Sequence, residues 1–229
     1  MNLTDKLTIT NEDNMVMMSR YPDKYFDLAI VDPPYFDGPN KLGYYGKRKS
    51  SSGVVRGEYN KVGKWDLPDE IYFKELYRVS KNQIIWGCNY YEKFIEGPGR
   101  IFWDKCNSDS SFSDGEIASC SMQTTVRIIK YMWNGMLQGC DFNGTMQGNK
   151  QLNEKRIHPT QKPVALYKWL LDKYAKPGYK IIDTHLGSGS IAIACHDYGF
   201  ELTACELDQE YYQSAIDRIR RHTNQLQLF

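Results

Sequence analysis

The sequence predicts an α/β fold built on a mostly parallel, twisted sheet with helices on both faces. Three observations predict it. Apolar segments of strand length alternate with helical patterns, several of those strands are apolar on both faces, and a glycine turn leads from one strand into a helix. A chain of 229 residues, 41% hydrophobic and 14% aromatic, buries a full core and is read as one domain with insertions.

Strand-length segments fall at Leu7 to Thr10, Tyr25 to Val31, Gln83 to Cys88, Arg100 to Trp103, Val126 to Tyr131, Lys180 to Asp183 and Glu201 to Cys205. Pro163 opens a helix whose Val164, Tyr167, Leu171 and Tyr174 share a face, and Pro177-Gly178 ends it. A second helix spans Asp208 to His222. Its Tyr212, Ala215, Ile216 and Ile219 are expected inward, with Arg218, Arg220 and Arg221 outward near the C-terminus, where cations suit the helix dipole.

Two stretches resist this pattern. Residues 36–64 hold six glycines, Ser50-Ser51-Ser52 and no sustained period, which predicts a mobile loop. Between Lys41 and Lys64 lie seven basic residues (Lys41, Lys47, Arg48, Lys49, Arg56, Lys61 and Lys64) and one acid, Glu58. The net charge of +1 hides that cluster. Trp133 to Glu154 interleaves Asn, Gln and Gly and is equally irregular.

No apolar run approaches bilayer length, and Asp5, Glu12 and Asp13 stand where a signal peptide needs a basic and then an apolar stretch, so the cytoplasm is expected. The six cysteines lack paired close spacing, which predicts neither a disulfide framework nor a metal site.

The segment Val31-Asp32-Pro33-Pro34-Tyr35 ends the second predicted strand. As a bland reading, Asp-Pro is a turn that stops a strand. As chemistry, it suits transfer of a methyl group to the exocyclic amine of a base, a poor nucleophile whose lone pair is delocalised into the ring. Asp32 accepts the amine's protons, the Pro33 carbonyl is a second acceptor, Pro34 helps fix that carbonyl through its locked φ, and Tyr35 offers a face to the flipped ring.

Lys180 to Cys195 reads as strand, glycine turn and helix, with Gly187 and Gly189 in the turn and Glu206 closing the next strand, placed to accept hydrogen bonds from a ribose. Gly187, Gly189 and Ala192 also satisfy a loose dinucleotide fingerprint, so an NAD-dependent oxidoreductase stands as a rival of a different class. In a parallel sheet the Asp32 turn, the Gly187 turn and Glu206 would line one crevice beyond the strands' carboxyl ends.

With DPPY at 32–35, WGCNYY at 86–91, HPTQKP at 158–163, DTHLGSGS at 183–190 and CELD at 205–208, the chain resembles the β group of amino-DNA methyltransferases that use S-adenosylmethionine, over nearly its whole length. The resemblance implies a Rossmann-like methyltransferase fold with a seven-stranded sheet and permuted motif order. It implies a single catalytic domain over 1–229, with 107–156 as a short target-recognition region. Asp32, Pro33, Pro34 and Tyr35 then match the catalytic motif, and Asp183, Gly187 and Gly189 the loop around the cofactor's methionine part. Glu206 matches the acid on the ribose, and Asp13 an acid near the adenine, with Glu12 adjacent to it. His158, Thr160 and Lys162 match the segment at the cofactor's methionine end, with helix capping as the structural alternative for Thr160. Where many relatives read Asp-Pro-Phe, this chain has Asp183-Thr184-His185, and His185 is read as filling the volume of the missing aromatic ring.

The resemblance further implies double-stranded DNA as substrate, a homodimer as in many relatives, and a bacterial or phage host, with or without a restriction endonuclease partner. Lys47, Arg48, Lys49 and Arg56 are the expected DNA-phosphate contacts. Aspartate before Pro-Pro-Tyr favours adenine N6 as the methylated amine, with cytosine N4 as the alternative served by the same chemistry. A protein-amide methyltransferase would carry Asn in place of Asp32.

Overall fold

The computed structural model describes residues 2–35, 67–107, 113–134, 137–139, 153–158 and 160–224. The elements in chain order are β1 (Asn2–Thr4), β2 (Leu7–Asn11), α1 (Asn14–Ser19), β3 (Phe26–Val31), α2 (Glu70–Val79), β4 (Ser80–Trp86), β5 (Arg100–Asp104), β6 (Gly115–Cys120) and β7 (Val126–Lys130). They continue with β8 (Trp133–Asn134), β9 (Leu137–Gln138), α3 (Val164–Tyr174), β10 (Lys180–Asp183), α4 (Ser190–Tyr198), β11 (Glu201–Glu206) and α5 (Gln209–Thr223).

The main sheet runs β1-β2-β11-β10-β3-β4-β6-β5-β7, and β8 and β9 form a separate two-stranded ribbon. The five strands β2, β11, β10, β3 and β4 are mutually parallel, β6 enters antiparallel to β4, and β5 runs against β6. The α/β class and parallel centre agree with the expectation, but the sheet has nine strands rather than seven. The two additional strands lie at its edges, where β1 folds back on β2 and β7 joins β5.

Apolar runs in the parallel strands are explained by alternation between two cores. Leu28 and Ile30, Ile84 and Trp86, Ile181, Leu202 and Ala204 face one side, where they meet Leu166, Leu170, Ile193 and Ile219 of α3, α4 and α5. Ala29 and Val31, Ile85, Ile182 and Cys205 face the other side and meet Met17 and Met18 of α1 and Tyr72, Phe73, Leu76 and Val79 of α2. Burial on both faces removes the polar alternation of a half-exposed strand. Asp69 caps α2 by accepting the amides of Ile71 (3.0 Å) and Tyr72 (3.1 Å).

Three local expectations are corrected. The stretch 107–156 is not an insertion throughout, because it contributes β6 and β7 to the sheet. In α5 Tyr212 packs against the core only partly buried, and the fully buried tyrosine is Tyr211, one position round the helix. Arg218 does not project to solvent: it donates to Ser188 O (2.8 Å) and Ser190 Oγ (2.9 Å) and pairs with Glu154 (2.8 Å). The basic segment 36–64 lies outside the described residues.

What positions the site is the reversal of strand order between β10 and β3. From β3 the next parallel neighbour in sequence is β4 on one side, while from β10 it is β11 on the other. Helices leave such neighbouring strands in opposite directions, which opens a crevice at their carboxyl ends. Asp32 follows β3 and Asp183 ends β10, so residues far apart in sequence meet there.

Candidate active site

A cleft of about 680 Å³ lies at that crevice. Its wall includes Asp13, Asp32, Pro33, Pro34, Tyr35, His158, Thr160, Lys162, His185, Gly187 and Glu206. Nearly every site residue expected from the sequence and present among the described residues is therefore brought together. Asp183 lies beneath the wall, 2% exposed. Gly189 does not line the cleft. It starts α4 at φ +75, and a Cβ there would meet Ile219 Cδ1 at 2.9 Å, so its role is to let α4 pack on α5. Lys47, Arg48, Lys49 and Arg56 lie outside the described residues.

At one end stands a charged cluster. Lys162 Nζ is 2.5 Å from Asp32 Oδ2 and 2.9 Å from Glu116 Oε2, and Lys105 Nζ is 2.5 Å from Glu116 Oε1. The Tyr35 hydroxyl donates to Glu116 Oε2 at 3.0 Å. Asp32 Oδ1 is buried with no hydrogen-bond partner among the described residues. Burial pushes the Asp32 carboxyl above its ordinary range against the pull of Lys162, while for Glu116 burial is outweighed by Lys162 and Lys105, which hold it down to about 2. Burial also keeps the Tyr35 hydroxyl protonated, as a donor to Glu116 must be.

The aromatic wall is layered. Tyr35 stacks on Tyr90 with ring centroids 5.0 Å apart and 16° between planes. Gly87, at φ +68, lets the backbone touch the same ring: a Cβ there would fall 2.4 Å from Tyr35 Cδ1. Tyr91 donates its hydroxyl to the carbonyls of Pro33 and Pro34, which anchors the proline turn from the chain that follows β4.

The other end is built on β10 and β11. Gly187 at φ +54 would carry a Cβ with no neighbour nearer than His185 O at 3.9 Å, so the space above it is open. Glu206 accepts the amide of Gly187 through Oε2 (2.8 Å) and that of Asp208 through Oε1 (3.0 Å), and burial raises its pKa. Asp183 Oδ1 accepts the His185 amide at 3.0 Å, and burial pushes its carboxyl up to about 8. Burial lowers His158 to about 4 and His185 to about 3, so both imidazoles are neutral near pH 7. His185 does fill space beside Tyr72, ring to ring at 5.4 Å, and it also bonds Thr184 and Asn14 while forming part of the wall.

Asp13 caps α1 through Oδ1, which accepts the amides of Met15 (2.8 Å) and Val16 (3.3 Å). Its neighbour Glu12 is taken up by Arg20 at 2.5 Å, which holds it down to about 2. Thr160 caps no helix. It bonds His158 Nδ1 at 3.0 Å, and the first amide of α3 is accepted by Glu154 at 2.9 Å. Lys162, expected at the methionine end of a cofactor, lines the cleft and pairs there with Asp32. Glu116 and Lys105 belong to no motif singled out in the sequence, while Tyr90 and Tyr91 stand in the WGCNYY segment, to which no role was assigned.

A family model described as DNA methylase, covering the N6/N4 methyltransferases, matches residues 58–217. The chain belongs to this DNA methylase family. Membership displaces the oxidoreductase reading of the glycine turn. The family match begins after Asp32, but similarity to individual DNA methylases extends further. The type II methyltransferase M.HinfI of Haemophilus influenzae is 24% identical over 96% of this chain and 70% of its own length. M2.DpnII of Streptococcus pneumoniae is 21% identical over 94% of this chain and 90% of its own. Among solved structures, the M1.HpyAVI–SAM complex superposes with a TM-score of 0.54 at 17% identity, covering 93% of this chain and 99% of that one. PvuII DNA methyltransferase, described as cytosine-N4-specific, gives 0.57 at 11% identity, covering 96% and 92%. No helix among the described residues of this DNA methylase is long and apolar enough to cross a membrane.

Proposed function

We propose that the protein is a site-specific DNA adenine-N6 methyltransferase that uses S-adenosylmethionine and acts on a base flipped into the Asp32–Tyr35 pocket. The observation that carries the reading is Asp32 Oδ1: a buried acceptor without a protein partner among the described residues, on the wall of a cleft whose far end holds Gly187 and Glu206. An unpartnered buried carboxylate oxygen is costly unless a ligand donor completes it, and an exocyclic amine is such a donor.

The residues fit the cofactor. The cleft volume lies within the range of about 300–1,000 Å³ common for small-molecule sites. Glu206 keeps lone pairs for ribose hydroxyls while its amide bonds hold the glycine turn, and the open space over Gly187 admits close approach to the backbone. The cofactor supplies an electrophilic methyl group on a sulfonium, and the neutral His158 and His185 add no opposing positive charge. At the reacting end, Asp32 draws a proton of the amine toward Oδ1 and the Pro33 carbonyl takes the other, which returns lone-pair density to nitrogen. Tyr35 gives the ring a face to lie against. As nitrogen gains the methyl group it loses a proton, and burial of Asp32 raises its readiness to accept it.

The test is methylation of DNA followed by digestion to nucleosides and mass measurement. N6-methyladenine is the expected product. N4-methylcytosine as the sole product overturns the choice of base, and absence of any methylated nucleoside overturns the activity.

A further inference from the structure

Glu116 is the least accounted-for charge in the site. It comes from β6, opposite Trp103 of β5 in the antiparallel register, and belongs to none of the motifs around the proline turn or the glycine turn. Yet three groups converge on its carboxylate: Lys105 at Oε1, and Lys162 and the Tyr35 hydroxyl at Oε2. It does not line the cleft itself. We infer that Glu116 is a positioning residue for methyl transfer, fixing Lys162 Nζ and the Tyr35 ring together so that Asp32 is tethered at Oδ2 and presents Oδ1 to the incoming amine.

This inference rests on the amino-methyltransferase reading above and deepens it. A lysine shared by two carboxylates at 2.5 and 2.9 Å is held from both sides, so it steadies Asp32 without being drawn wholly onto it. The hydroxyl bond fixes where the tip of the Tyr35 ring lies, while packing on Gly87 and Tyr90 sets the plane of the ring. The charged and titratable groups around Asp32 are Lys162, Glu116 and Tyr35, with Lys105, Asp183, Tyr91 and Tyr167 beyond them. Replacing Glu116 by a neutral amide removes a like charge from Asp32 and gives it the whole of Lys162. Both changes make Asp32 harder to protonate.

Methyl transfer by the full chain, measured across about pH 5 to 9, tests this against cofactor affinity from calorimetry. For Glu116→Gln the expected result is a kcat lower by about tenfold or more, an acid limb of the kcat profile displaced to lower pH, and cofactor affinity within about twofold of the native protein. Unchanged kcat overturns the inference. So does a lower kcat with an unmoved acid limb, because a purely structural defect would leave that limb where it is. If Glu116→Gln does not fold, Glu116→Asp and Tyr35→Phe are read in the same assay. Glu116→Asp keeps the charge on a shorter arm and is expected to lose part of kcat with a near-native acid limb, while Tyr35→Phe keeps the ring and loses several-fold in kcat. Native kcat in both overturns the inference. A native protein that methylates nothing counts against the amino-methyltransferase reading, whereas an active native protein with indifferent variants counts against Glu116 alone.

Discussion

Glu206 accepts the amide of Gly187 at 2.8 Å, so the acid that ends β11 is bonded directly to the turn that follows β10. One carboxylate thus shapes the loop and faces the cleft. Glu206→Ala leaves the amides of Gly187 and Asp208 without their acceptor, which is expected to cost about 1–3 kcal/mol in stability and to weaken cofactor binding at least about tenfold. Denaturant titration and calorimetry check both. Native cofactor affinity in this variant would remove Glu206 from the cofactor site.

Asp32→Ala is expected to abolish methyl transfer while cofactor binding persists, because Asp32 is the proposed acceptor for the amine and Gly187 and Glu206 lie at the other end of the cleft. Lys162 keeps Glu116 as a partner in the variant, so the buried ammonium is not left uncompensated. Measurable turnover by this variant would refute the proton-acceptor role.

The Asp183 carboxyl gives a dependence on pH. Its pKa is raised by burial from 3.8 to about 8. The folded state therefore holds this proton more tightly than the unfolded chain, and the associated stability is full below about pH 4 and is lost as pH rises through 8, by at most about 1.4 kcal/mol per pH unit. Thermal unfolding of the cofactor-free protein should show Tm falling from pH 5 to 8. An Asp183→Asn variant should lose most of that slope, and an unchanged slope in the variant would assign the dependence to other groups.

Gly189→Ala places a Cβ at φ +75 and 2.9 Å from Ile219 Cδ1. The expected cost is about 1–3 kcal/mol from backbone strain and the contact together. Adding Ile219→Val removes Cδ1 and should recover part of the contact cost, less the cost of the lost buried methyl group, and none of the strain. Full recovery in the double variant would mean that the left-handed backbone at this glycine carries no cost.

The basic cluster is tested through salt. Substituting Lys47, Arg48 and Lys49 together by Ala should weaken DNA binding and flatten its dependence on ionic strength, since each lost phosphate contact lowers the slope of log affinity against log salt by about 0.9. An unchanged slope would remove these three side chains from the DNA contact surface.

The parallel centre was legible in the sequence because strands buried on both faces leave continuous apolar runs, as in Leu28 to Val31 and Ile181-Ile182. The proline turn, the glycine turn and Glu206 were legible because their residue types are restricted by the backbone or the chemistry they serve. Strand β6 was not. Its inner half packs and its outer half carries Gly115 and Glu116, so neither the strand nor its acid stands out from a polar loop. Helix α2 does carry a helical signal, with Asp69 before Tyr72, Phe73, Leu76 and Val79, although it was not among the helices expected from the sequence. Lys162 shows a different limit. It lines the cleft at which its motif placed it, but which carboxylates it pairs with depends on what the sheet brings within its reach.

In the proposed pocket, the stack of Tyr90 on Tyr35 bears on how one base is told from another. A base that settles on that face of Tyr35 trades one ring contact for another, and an exchange of like for like yields little net attraction from stacking. Selection then falls to hydrogen-bond donors aimed at Asp32 and the proline carbonyl rather than to the area of the ring, so a base without an exocyclic amine gains no hold even where its shape is right.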